Sequence, residues 1–276
     1  MKWLHFILSH SIFIAFCAVA LAFQTGQLLH LNNNFFVYGF IFFATLSSYN
    51  FYWILSKLAF VEKDSVLVVL KKETTGISLL IFSAAGLLYC LLQSALPLSF
   101  VLTAVLLTGI YSIPLLPFKA LRFTRRAGVL KTILLAFTWA YVTAFIPMQK
   151  TYSLLDNADL FVFTRRFLFM LMLCIIFDNR DKAIDKMRGL HSLATDLSPL
   201  VLRMLIYTVF AVLFASNFYY RYYGITFYQS LALQVSTLAL LTVYFYSAKK
   251  RDYIFYYFIV DGLMLFSALA TFIASI

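Results

Sequence analysis

Three of the chain's eleven acidic residues fall in one short stretch, Asp178-Asn-Arg-Asp181-Lys-Ala-Ile-Asp185. On a helix, at about 100° per residue, positions i, i+3 and i+7 share one narrow stripe. Like charges at that spacing repel by about 0.2–0.5 kcal/mol per pair. A hard divalent cation with oxygen ligands would relieve them, and magnesium carrying a diphosphate is such a load. The same spacing also suits a charged, solvated helix end. Lys182 lies at i+4 from Asp178, and Lys182 and Lys186 flank the stripe, so ordinary ion pairs of small worth would also serve. Spacing supports both a cation site made of Asp178, Asp181 and Asp185 and a charged cap.

The elements that must position this stripe are membrane helices. The chain is 63% hydrophobic and 12% charged, with 31 phenylalanines and a mean hydropathy of +0.90. A soluble domain carries about a quarter charged residues. The class is therefore all-α: a polytopic membrane bundle forming one domain over residues 1–276. The net charge of +11 is not read as nucleic-acid binding, because the basic residues sit in short segments between apolar runs. Cys17, Cys90 and Cys174 all lie within apolar runs without metal-type spacing, which predicts packing residues and no disulfide framework.

Nine apolar runs have helix length: 4–23, 35–56, 77–94, 97–116, 129–148, 161–178, 199–217, 227–247 and 253–275. The first lacks a convincing small-residue cleavage site after Ala22 and is expected to be a membrane helix rather than a signal peptide. One set of connecting segments, with Lys2, carries 17 of the 22 basic residues. By the positive-inside rule those segments, the amino terminus and the aspartate stripe are expected to be cytoplasmic, with the carboxyl terminus outside. An integral protein of a bacterial inner membrane is the expectation.

Arg180-Asp181-xxx-Asp185-xxx-Gly189-xx-Ser192-Leu193 resembles the second aspartate-rich motif of the UbiA superfamily of intramembrane prenyltransferases, with Ser192 in place of the usual threonine. Tyr111-Ser112-Ile-Pro114, followed by Lys119 and Arg122, is similar to that family's Tyr-Ser-x-Pro segment, and Gly76-Ile77-Ser78 is a weaker match. The resemblance covers nearly the whole chain. It departs at the first aspartate-rich motif. Asn50 matches the leading asparagine, but Phe51, Ile54 and Leu58 stand where aspartates belong. Aligned backward from Gly76, only Asp64 would match, with Lys57 and Phe60 at the earlier positions.

The resemblance implies a divergent, magnesium-dependent prenyltransferase that moves an isoprenyl group from a prenyl diphosphate to an aromatic or lipid acceptor. It implies Asp178, Asp181 and Asp185 as metal ligands, with Asp181, Asp185 and Lys119 catalytic. Asn50, Tyr111, Lys119, Arg122 and Arg180 would bind the diphosphate or prenyl chain, with Tyr111 steadying an allylic cation through its ring face. The reading of Lys119 and Arg122 as simple positive-inside residues stands beside this. Two other functions are carried along: a non-catalytic isoprenoid- or lipid-binding bundle that has lost turnover, and a small transporter. The transporter reading is motivated by Asp261, an acid inside the last span, which is costly unless paired or functional. His191 follows the stripe as either a phosphate contact or a solvated histidine, while His5, His10 and His30 show no partner spacing. No Gly-rich phosphate loop, catalytic triad or zinc motif is present.

Overall fold

A backbone in hydrocarbon must satisfy its own hydrogen bonds, and this chain does so with helices. The computed structural model describes residues 2–58, 68, 71–112, 128–150 and 154–276, and no strand occurs among them. We label the helices α1 Lys2–Ser9, α2 Ile12–Leu28, α3 Phe35–Leu58, α4 Thr74–Ser94 and α5 Leu98–Ser112. The remainder are α6 Gly128–Met148, α7 Asn157–Arg188, the short α8 Leu193–Asp196, α9 Pro199–Ser216, α10 Phe227–Ser247 and α11 Phe255–Ile273. Among the described residues, six are long and apolar enough to cross a membrane, and a seventh arises if α1 and α2 count as one span. Helix α3 is long but diluted by Ser47, Ser48 and Asn50, and α5 is apolar but only 15 residues long.

The first predicted span is not one straight helix. α1 and α2 meet at a 67° bend. The cause is local: Ser9 Oγ donates to the Phe6 carbonyl, the His10 ring bonds to the same oxygen, and Ser11 takes a left-handed conformation (φ 62°). Asn50 Nδ2, on α3, then donates to the His10 carbonyl at 3.2 Å.

The sixth span is longer than predicted. The apolar run ends near residue 178, yet α7 continues unbroken to Arg188. It starts at a capping box in which the Asp156 carboxylate accepts the Asp159 N–H and Asp159 returns the bond to the Asp156 N–H. The donated Asp159 N–H holds the Asp156 carboxyl below its ordinary value. At the other end Gly189, at φ 63°, supplies the left-handed residue that stops a helix. The aspartate stripe thus occupies the last turns of a spanning helix.

Two helices contain π-turns, Tyr141–Phe145 in α6 and Phe255–Val260 in α11. Proline has no N–H to give the carbonyl four residues back. Pro147 so frees the Thr143 carbonyl, which accepts the Thr25 hydroxyl at 2.9 Å and ties α6 to α2. Helix α3 lies along α4, α6 along α7, and α2 against α3 and α11. The α3–α4 approach is close: a Cβ on Gly39 would stand 2.7 Å from Cys90 Sγ, and one on Gly86 2.7 Å from the Phe43 ring. Cys17, Cys90 and Cys174 are free and buried, as expected of packing residues.

Candidate functional site

The end of the bundle that holds the stripe is built from α7, the start of α6 and the segment entering α8. Asp178 Oδ2 accepts the Thr132 hydroxyl at 2.6 Å and the Leu193 N–H at 3.2 Å. This three-way joint is possible because α6 begins with Gly128. A Cβ there would lie 2.4 Å from the Ser192 nitrogen and 2.5 Å from Asp196 Oδ2.

Asp181 faces a different partner. Its two oxygens accept Arg180 Nε at 2.8 Å and Nη2 at 2.7 Å, a bidentate pair. The Arg180 guanidinium lies over the rings of Phe177, Tyr257 and Tyr256, at 4.8, 5.0 and 5.2 Å from their centres. The π-turn in α11 carries both tyrosines into this cage. Asp261, only 4% exposed, is reached by the same positive charge across the helix interface. Arg180 Nη1 is buried without a hydrogen-bond partner among the described residues.

The positive charge that the stripe calls for is already present. Lys131, on α6, is attracted to both Asp185 and Asp178 and lies close to the Tyr52 hydroxyl. Its ammonium also lies 5.6 Å from the Tyr111 ring centre. In the sequence, Lys131 is one of many basic residues, and nothing near it signals this position. It comes from the pairing of α6 with α7.

Tyr52 and Tyr111 stack on each other at 5.2 Å and also line a cavity of about 470 Å³ between α3, α4, α5 and α6. The volume lies in the range usual for small-molecule sites. Its wall is mostly apolar, and several of the hydroxyls along it are spent within their own helices: Thr108 on the Ala104 carbonyl at 2.9 Å, Ser112 on Thr108 at 2.9 Å, Thr138 on Leu134 at 2.7 Å. Tyr49 and Trp139 meet edge to face on the same wall. The result is an apolar chamber with aromatic rings at one end, and beyond those rings an ammonium and carboxylates.

The predicted site residues divide accordingly. Tyr111, Asp178 and Asp185 converge with Lys131. Arg180 and Asp181 form a caged pair on the same helix end. Asn50 is 3% exposed and spends its amide on the Leu46 and His10 carbonyls, so it serves the α1–α2 bend. Lys119 and Arg122 lie outside the described residues, as does Asp64. Lys57 pairs with Glu73 and lies over the Trp53 ring. His191 is paired with Asp196 at 2.6 Å.

Magnesium is usually held by one or two carboxylates, with phosphate oxygens and water completing the shell. No group of three or more acid, histidine or cysteine side chains suited to a metal occurs among the described residues. Asp178 and Asp185 match the sparse magnesium mode in number and kind, whereas both oxygens of Asp181 are taken by Arg180.

No family model matches the chain, and no curated protein matches it. A solved structure does: the apo structure of a UbiA homolog from Aeropyrum pernix K1, at 13% identity over 97% of each chain with a TM-score of 0.57. At that identity the likeness bears on architecture alone, and the architecture is plain: this chain has a UbiA-like helical membrane bundle.

Proposed function

We propose that the protein is a prenyltransferase of the UbiA superfamily, moving an isoprenyl group from a prenyl diphosphate to a hydrophobic aromatic or lipid acceptor within the membrane. One observation carries this reading: the apolar cavity ends at Tyr52 and Tyr111, and those two residues also neighbour Lys131, which is attracted to Asp178 and Asp185. An isoprenyl chain is wholly apolar and its diphosphate wholly polar. A chamber that changes from one character to the other at an aromatic ring pair suits such a substrate.

In the proposed reaction the allylic C–O bond breaks and its electron pair leaves with the diphosphate. Lys131 and Arg180 draw off the charge that develops on the leaving group, with Lys119 and Arg122 in the same role by resemblance. The faces of Tyr111 and Tyr52 steady the allylic cation. The acceptor then supplies an electron pair to the cation and loses a proton. Asp178 and Asp185 would hold magnesium, which neutralises diphosphate charge when bound. Asp181 acts by fixing the guanidinium of Arg180. The charged end is cytoplasmic in this reading.

A second reading has its own support. Lys131 brings a positive charge near Asp178 and Asp185, and Arg180 occupies Asp181, an arrangement that also suits a bundle that binds an isoprenoid without turning it over. One experiment tests both: binding of geranyl diphosphate to the purified protein with and without magnesium, for wild type and the Asp181→Asn, Asp185→Asn and Lys131→Met variants. The enzyme reading expects tight, magnesium-dependent binding, weakened at least tenfold in Asp185→Asn and Lys131→Met, and release of diphosphate when an acceptor is added. Binding indifferent to magnesium and to all three substitutions would sink it and leave the isoprenoid-binding bundle.

A further inference from the structure

Helix α7 carries a second cluster of charge, about 18 Å along the helix from Asp178 by the usual rise per residue. Arg166 is 5% exposed, and its partners are neutral. Nη2 donates to Gln24 Oε1 at 2.9 Å and to the Thr25 hydroxyl at 3.3 Å, and Nη1 donates to the Thr143 hydroxyl at 3.3 Å. Gln24 is locked in that orientation because its amide donates to the Ser267 carbonyl, the Ser267 hydroxyl and the Thr271 hydroxyl. Its neighbour Arg165 donates to the Leu213 carbonyl at 2.9 Å and to the Ser216 hydroxyl, and lies over the Phe161 ring.

Neither guanidinium pairs with a carboxylate among the described residues. The nearest acids in the chain, Asp156 and Asp159, are both taken by Lys150. Two adjacent cations inside a protein, without a counter-charge, repel each other, and each bears the cost of leaving water. Neutral hydrogen bonds satisfy donors but do not cancel charge. An ionisable residue within a membrane-spanning segment is by default a functional one.

Both arginines border a small, partly open cavity of about 30 Å³, with Gln24, Ser236, Thr237 and Ser267 on its wall. That is room for about two water-sized groups, the size of two oxygens of a tetrahedral anion. The rest of the rim is apolar, including Leu213, Ile225 and Leu233.

We infer that Arg165 and Arg166 form a binding site for a phosphate group, separate from the aspartate end of the bundle. Guanidinium is suited to phosphate oxygens by its planar pair of donors. The phosphate comes either from a phospholipid head, whose acyl chains would lie on the apolar rim, or from free phosphate. Neither source is needed for the prenyl-transfer reading, and the site stands or falls independently of it.

The test uses the full-length protein, purified and delipidated in a non-ionic detergent. In one arm the thermal midpoint is followed against sodium phosphate, with sodium chloride at matched ionic strength as the control. In the other, native mass spectrometry counts retained phosphatidylglycerol against phosphate-free diacylglycerol. A saturable rise with phosphate identifies the free anion. Retention of phosphatidylglycerol alone identifies a lipid head. Either must weaken at least tenfold in Arg166→Gln and several-fold in Arg165→Gln, with Arg166→Lys keeping more than Arg166→Gln. If Arg166→Gln does not fold, Arg165→Gln and the wild-type titrations still decide. No binding in either arm overturns the site, as does binding unchanged in the arginine variants or lost instead in Lys131→Met.

Discussion

Asp178 shows how little the type of a residue says about its work. As one of three stacked carboxylates it reads as a metal ligand. In the folded chain one of its oxygens also joins α6 and α8 through Thr132 and Leu193. Removing the hydroxyl that reaches it leaves a buried acceptor short of a donor, which costs about 1–3 kcal/mol. Thr132→Val is expected to lower stability to denaturant in detergent by that amount, and Thr132→Ser to restore most of it. If Thr132→Val is neutral, the joint carries no load and Asp178 is held by its electrostatic partners. Asp181 and Asp185 were equally legible as residues, but their partners were not. Arg180 is adjacent in sequence, whereas Lys131 is separated from Asp185 by most of two helices.

The decisive element is α7. Its 32 residues carry both charge clusters, and its length follows from a strong start, a glycine stop and no helix breaker between. Hydropathy alone ends the helix near the first aspartate because polarity, not backbone preference, changes there. The element scale also explains Gly128, whose role has no sequence signal. Its missing side chain lets α6 meet the backbone at residues 191 and 192. Gly128→Ala must push that segment away and is expected to cost about 1–3 kcal/mol, the usual range for overpacking. Amide exchange across residues 190–196 would rise with it. Gly109→Ala is the comparison, since a Cβ there meets nothing within 4 Å. A helical glycine replaced by alanine gains about 0.5–1 kcal/mol, so the two substitutions should move stability in opposite directions. Equal effects would mean that α6 does not press on the segment.

At the scale of the whole molecule the bundle separates an apolar chamber from a charged mouth. Thr108 lines the chamber one helical turn deeper than Tyr111, and its hydroxyl is already spent on its own helix. Thr108→Trp should fill part of the space. It is expected to weaken binding of geranylgeranyl diphosphate at least tenfold while leaving that of the short dimethylallyl diphosphate within about threefold, because only the longer chain needs the volume. Equal losses for both would place the chain elsewhere in the bundle.

What the sequence determined by itself was the class of solvent and therefore the class of fold. So high an apolar content with so few charges has no soluble solution, and in hydrocarbon the backbone is driven to helices. The positions of the helices and the convergence of three aspartates on one helix stripe followed from periodicity. Only the tertiary structure decided what faces those aspartates. The lysine near two of them, the aromatic cage on Arg180, the chamber behind Tyr52 and Tyr111, and the two arginines facing only neutral partners all depend on which helices lie side by side. Helix pairing within a membrane is set by close packing and interhelical hydrogen bonds rather than by apolar pattern. Apolar runs announce that helices exist and say little about their neighbours.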